Sequence, residues 1–129
     1  MKLLVDTHVF LWYITGDTRI PPAWVAALRD PANEVFLSVI SIWEACIKYR
    51  LGKLPLPANP EVYLVSQRQQ HGIADLPLEE SDLLPIGTLP VHHRDPFDRI
   101  LICQALQRGL TLVTDDTAIH LYAVSLLPR

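Results

Sequence analysis

Leu3-Leu4-Val5-Asp6-Thr7-His8 opens the chain and sets its reading. Three apolar residues in a row have the length of a strand buried on both faces. Asp6 stops that run, and Asp6 or Thr7 can cap a helix over His8–Ile14, which Gly16 and Asp17 end. The same grammar recurs downstream. Val35–Val39 is a second strand candidate, followed by a helix from Ile42 to about Leu51, with Ser41 as its cap and Gly52 as its stop. Ile73–Leu76 and Leu110–Val113 are further strands, and Val124–Leu127 a last one. Helices are expected from Pro21-Pro22 through about Arg29, from Pro60 to about His71, over Glu79–Leu84, from Phe97 to about Arg108 and over Asp115–Tyr122. Strands that alternate with helices argue for a parallel sheet between helical layers.

Composition narrows the function classes. The 129 residues fit one domain with one core, residues 1–129, and the 50% hydrophobic content excludes a disordered chain. The net charge of −3 gives no global basic surface for nucleic acid, and leaves acidic residues to be placed. Cys46 and Cys103 fall in expected helices without a metal-binding spacing, so they read as small buried hydrophobes in a reducing compartment. Only three apolar residues follow Met1-Lys2, far short of a secretory leader, and no apolar run reaches membrane-spanning length. The expected location is cytoplasmic.

The acids fall at informative positions. Asp6 follows the first strand, Glu44 lies in the first turn of the helix after the second, and Asp98 opens the helix after a His-rich loop, with Asp95 three residues earlier. Asp115 and Asp116 follow the strand that ends at Val113. Open parallel sheets bind ligands beyond the carboxyl ends of their strands. Each acid alone has a structural use: Ser41 and Glu44 fit a capping box, Asp95-Pro96 an N-cap with Pro at the first helical position, and Asp115 and Asp116 a helix start. Together they repel one another, and convergence is something a divalent cation requires and capping does not. A ring of Asp and Glu suits Mg²⁺ or Mn²⁺ better than zinc, and such ions assist phosphodiester hydrolysis.

These residues also carry a resemblance. Leu4-Val5-Asp6-Thr7-His8, Ser41-Ile42-Trp43-Glu44, Asp95-Pro96-Phe97-Asp98-Arg99 with Gln104-Ala105, and Leu112-Val113-Thr114-Asp115-Asp116 resemble, in order, the four motifs of PIN-domain nucleases. The run from His93 to Arg99 is similar to that of VapC-type toxins. The resemblance implies a PIN-like three-layer α/β/α sandwich with a mostly parallel sheet. It further implies Mg²⁺ or Mn²⁺ dependence, endonuclease cleavage of RNA, a homodimer, and a small antitoxin protein as partner. By motif position Asp6, Glu44, Asp98 and Asp116 would hold the metal and carry catalysis. Asp98 is preferred to Asp95 because it lies eleven residues before Gly109 and sixteen before Thr114, the family spacing. Asp95 would add to the metal cluster or cap the helix, and Asp115 occupies a variable position.

Around these acids, Thr7 and Thr114 could hydrogen-bond the carboxylates, or serve as caps. Arg94 and Arg99 could hold phosphates, and Arg99 could equally pair with an acid. Adjacent His92 and His93 are not read as ligands; they either contact the substrate backbone or are solvated loop residues, and the second is preferred. Lys48, Arg50 and Lys53 suit a helix C-terminus, with RNA as a second use. Leu11, Trp12, Ile14, Ile47 and Leu51 are core residues or a groove for an antitoxin helix. Two other functions compete: a phosphatase with Asp6 as nucleophile, disfavoured because His8 stands where a second Asp is usual, and a catalytically silent nucleic-acid-binding or regulatory module.

Overall fold

The computed structural model describes all of residues 1–129. Its strands are β1 (Lys2–Val5), β2 (Glu34–Ser38), β3 (Ala74–Leu76) and β4 (Thr111–Val113). The α-helices are α1 (Thr7–Thr15), α2 (Pro22–Arg29), α3 (Val39–Arg50), α4 (Pro60–Gln70) and α5 (Pro96–Arg108), with 3₁₀ helices at Glu80–Gly87 and Ile119–Leu121. The strands form one sheet in the order β3-β2-β1-β4, with every pairing parallel. No helix is long and apolar enough to cross a membrane.

The apolar run at the start of the chain explains the centre of the sheet. Leu3, Leu4 and Val5 are wholly buried because β1 has a strand on each side and helices over both faces. Leu3 and Val5 point into a core that contains Phe10 of α1, Trp24 and Leu28 of α2 and Leu64 of α4. Leu4 points the opposite way, into a core built on Leu101, Ile102 and Ala105 of α5. Helices therefore cover both faces, and the three layers anticipated from the sequence are present.

Several boundaries differ from the sequence reading, each for a local reason. β2 ends at Ser38, and Val39 already belongs to α3. Ser38, not Ser41, caps that helix: its Oγ accepts from the Ile40 N–H at 3.1 Å. Ser41 Oγ is buried with no hydrogen-bond partner, so the capping box with Glu44 does not form and Glu44 sits in the second turn. The helix expected over Asp115–Tyr122 shrinks to one 3₁₀ turn. Asp116 Oδ1 accepts from the Ala118 N–H just ahead of that turn, and Tyr122 then turns into the core. The expected last strand reduces to a single parallel bridge, Leu112 to Leu126. The short helix expected over Glu79–Leu84 is a 3₁₀ helix over Glu80–Gly87, with its N-cap Glu79 and Asp82 capping each other across the first turn.

A buried polar network fixes α5 against the sheet. Ser38 Oγ donates to Gln104 Oε1 at 2.6 Å, and Gln104 Nε2 donates to the Pro77 carbonyl at 3.2 Å. Beside it, Arg108 grips the buried Asp82 through Nε and Nη2, both at 2.9 Å. Gln104→Leu keeps the volume but strips Ser38 and Pro77 of a partner. It is expected to lower stability by about 2 kcal/mol in urea denaturation, with no change of fold.

Candidate functional site

Parallel pairing of β1 and β4 brings the first and last motif acids together. Val5 is in register with Val113, and the Asp6 N–H donates to the Val113 carbonyl at 3.1 Å. The chain leaves both strands at the same edge of the sheet. Thr114 Oγ1 donates to Asp6 Oδ2, while Asp6 Oδ1 accepts from the Val9 N–H at 2.8 Å and caps α1. Thr114 Oγ1 in turn accepts from the Asp116 N–H at 3.1 Å. One threonine thus sets the spacing of two acids. Both Asp6 oxygens are engaged by the fold, which leaves the phosphatase reading of a free nucleophile without support.

α3 and α5 supply the other walls. Glu44, only 2% exposed, accepts from Thr7 Oγ1 at 2.8 Å on Oε1 and from Lys48 Nζ on Oε2. Asp98 stands in the first turn of α5, which Asp95 caps by accepting from the Phe97 N–H at 2.9 Å. Asp6, Glu44, Asp95, Asp98, Asp115 and Asp116 line one pocket of about 300 Å³, together with His8, Trp12, Lys48 and His93. All six acids singled out in the sequence therefore converge. Asp95 both caps α5 and faces the pocket. Asp115 lies at the rim, paired with Arg129.

The basic residues sort differently. Arg94 is exposed and lies outside the pocket. Arg99 donates to the Pro90 carbonyl at 2.8 Å and to the Tyr122 hydroxyl at 3.2 Å, so it holds the His-rich loop instead of a phosphate or an acid. The Tyr122 hydroxyl also accepts from the His92 and His93 N–H groups. This anchoring corrects the reading of His93 as a solvated loop residue. Its Nε2 lies 2.9 Å from Asp98 Oδ2 and 2.8 Å from Asp116 Oδ2. A sequence shows two adjacent histidines but not that a tyrosine 29 residues onward pins the loop between them and the acids. Lys48 was legible only as part of a basic helix end, although its i,i+4 spacing from Glu44 was there to read.

Electrostatics expose the conflict among these acids. Burial pushes the Asp6 carboxyl up to about 6, against the hydrogen bonds from Thr114 and Val9. Burial, then repulsion from Asp95 and Glu44, pushes Asp98 up to about 7. Burial works the same way on Asp116, but the His93 hydrogen bond outweighs it and leaves that carboxyl below its ordinary range. Burial would lower His93, yet Asp116 and Asp98 hold its pKa up. Donor atoms of His93, Asp98 and Asp116 all lie within 4.8 Å of one another. Closely spaced, part-buried carboxylates, with Asp6 and Asp98 reluctant to ionise, fit a hard divalent cation, whose charge would relieve the repulsion.

The consequence for stability has a definite sign. Folded Asp98 keeps its proton up to about pH 7, whereas the unfolded chain releases it near 3.8. The folded state binds more protons in that window, so this group lowers stability as pH rises through it. Asp98→Asn is therefore expected to stabilise the metal-free protein at pH 8 by about 1–2 kcal/mol, discounted for solvent access, and to give no gain at pH 4. Thermal denaturation in EDTA across that range checks it; a gain independent of pH contradicts it.

The PIN domain family pattern matches residues 3–124. Ribonuclease VapC16 of Mycobacterium tuberculosis is 36% identical over 56 residues, which are 43% of this chain and 40% of that protein. The chain thus matches less than half the length of that curated relative. Among solved structures, VapBC2 from Rickettsia felis, bound to a promoter DNA fragment, superposes with a TM-score of 0.73 at 15% identity, covering 99% of this chain and 98% of that one. VapBC-1 from nontypeable Haemophilus influenzae gives 0.65 at 19% identity, covering 98% and 97%. FitAcB from Neisseria gonorrhoeae gives 0.60 at 20% identity, covering 98% and 96%. The fold is shared with all three at identities too low to carry more. The motifs in register, the parallel sheet that gathers them, and a family match over nearly the full length lead to one assignment: this chain belongs to the PIN domain family.

Proposed function

We propose that this chain is a metal-dependent endoribonuclease acting as the toxin of a toxin–antitoxin pair, with Mg²⁺ as its metal and Mn²⁺ as a substitute. The observation that carries the reading is the convergence of Asp6, Glu44, Asp98 and Asp116, from four separate stretches of the chain, on one pocket. The partial match to a curated ribonuclease supports the same chemistry.

Asp98 and Asp116 would hold the ion, with Asp6 and Glu44 completing the negative field around it. When bound, such an ion supplies a water of lowered pKa and neutralises charge on a phosphoryl oxygen. The protein's own part is placement. Thr114 holds Asp6 and the Asp116 backbone, Thr7 holds Glu44, and the Asp95 cap fixes the turn that carries Asp98. No Ser or Cys lines the pocket, and this reading takes water as the nucleophile. Asp95 and Asp115 remain candidate additional ligands by position alone.

An apolar groove beside the pocket, lined by Leu11, Trp12, Leu54 and Leu56, shares His8 and Trp12 with it. We place the antitoxin there, where one segment could cover the acids and the groove together. A homodimer would bury Val39 and Trp43, which α3 leaves exposed. The cytoplasm, where RNA and antitoxin meet, is the matching location.

Purified wild type is expected to cut single-stranded RNA in Mg²⁺ or Mn²⁺ and to lose that activity in EDTA. Asp116→Asn and Asp6→Asn are each expected to cost about 100-fold or more. Induced expression should arrest bacterial growth, and Asp6→Ala should relieve the arrest. RNA binding by a wild type that never cleaves would favour the silent binding module instead.

A further inference from the structure

We infer that Lys48 is a phosphate-binding residue of this site, carried by Glu44 and aimed across the pocket at the scissile phosphate. The inference rests on the ribonuclease reading. It begins from a charge imbalance. Six carboxylates line the pocket, and Lys48 is the one Lys or Arg among its walls. A phosphodiester is itself an anion, and a single divalent ion cannot offset both the acids and the incoming phosphate. His93 is already held between Asp98 and Asp116. Among Lys and Arg side chains, that leaves Lys48.

Glu44 shares with Asp6 a protein donor on each oxygen, but on Glu44 one of the two is an ammonium. Its Oε1 accepts from Thr7 and its Oε2 from Lys48, so a protein donor occupies each oxygen. The converging donor atoms belong to His93, Asp98 and Asp116, without Glu44 or Asp6. The pocket therefore has two ends: one where a cation would be gathered, and one where a buried carboxylate holds an ammonium. Glu44 is almost fully enclosed, while Lys48 keeps about a third of its side-chain surface open. An ammonium has three N–H donors, and Glu44 takes one. The other two have no protein acceptor and are free for phosphate oxygens. Burial opposes the charge on Lys48, but Glu44, with Asp95 and Asp98 across the pocket, outweighs it. A phosphate between the two ends would place one oxygen toward the cation and another against Lys48.

The competing role is purely structural, with Lys48 doing no more than neutralise buried Glu44. Salt dependence separates the two, because each phosphate contact on a single strand contributes about 0.7 to the slope of log K against log salt. The experiment measures binding of a single-stranded RNA oligonucleotide by fluorescence anisotropy over a salt series, with Ca²⁺ replacing Mg²⁺. It compares wild type, Lys48→Met and Lys48→Arg. Cleavage rates and the Mn²⁺-induced rise in melting temperature are measured on the same proteins. Lys48→Met is expected to flatten the slope by about 0.7, to lower kcat/KM at least tenfold and to keep the Mn²⁺ shift. Lys48→Arg should restore the slope and most of the rate. An unchanged slope, or a loss of the Mn²⁺ shift in step with activity, overturns the assignment. Wild type that neither binds nor cuts RNA overturns the ribonuclease reading and this inference together. Wild type that cuts, matched by Lys48→Met, overturns the inference alone. Should Lys48→Met fail to fold, Glu44→Gln/Lys48→Met removes both members of the buried pair, and its salt slope is compared with that of Glu44→Gln.

Discussion

Mutual repulsion among carboxylates gathered at one edge of the sheet is the constraint around which the rest of this molecule is organised. Asp6, Glu44, Asp98 and Asp116 come from elements far apart in sequence, and nothing in chain connectivity obliges them to meet. They meet because β1 pairs in parallel with both β2 and β4, so that all three strands release their chains at the same edge. Burial then raises the free energy of ionisation of Asp6 and Asp98 instead of dispersing their charge into water. A protein that held these groups for stability alone would separate them. Sites kept at such a cost are where function is found.

The surroundings answer that repulsion with donors in fixed positions. Thr114 and Thr7 each spend a hydroxyl on a carboxylate, and the N-terminus of α1 offers Asp6 a backbone N–H. His93 bridges Asp98 and Asp116 from a loop whose backbone is tied to the Tyr122 hydroxyl. Behind α5, the contacts of Ser38, Gln104, Asp82 and Arg108 hold the helix in register on the sheet. Rigid support on the far side and crowded charge on the near side belong to one design: the strained edge can persist because the elements that carry it cannot easily move apart.

Much of this was legible in the sequence, for physical reasons that can be named. The Leu3–Val5 run is short, apolar and uninterrupted, which only a doubly covered strand tolerates in a chain this size. The motif acids stood next to strand ends and helix starts, where parallel topology must bring them together. Other features depended on distant contacts. Ser41 looked like a cap because it precedes an apolar helix, but Ser38 can reach both the Ile40 N–H and Gln104, and the helix starts earlier. The segment after Asp116 carried helix-like spacing, yet burial of Tyr122 and pairing of Leu112 with the tail drew it into an irregular path. His93 stayed hidden because its position follows from Tyr122 and Arg99, whose hydrogen bonds to the loop no local pattern announces.

The most direct test of the account is the location of a bound cation. Crystals soaked in Mn²⁺ and measured at the manganese absorption edge would place the ion by its anomalous signal. The account predicts one dominant peak in the pocket, within bonding distance of Asp98 and Asp116 carboxylate oxygens. A pocket with no peak at saturating Mn²⁺, or a dominant peak held by residues elsewhere on the surface, would contradict it.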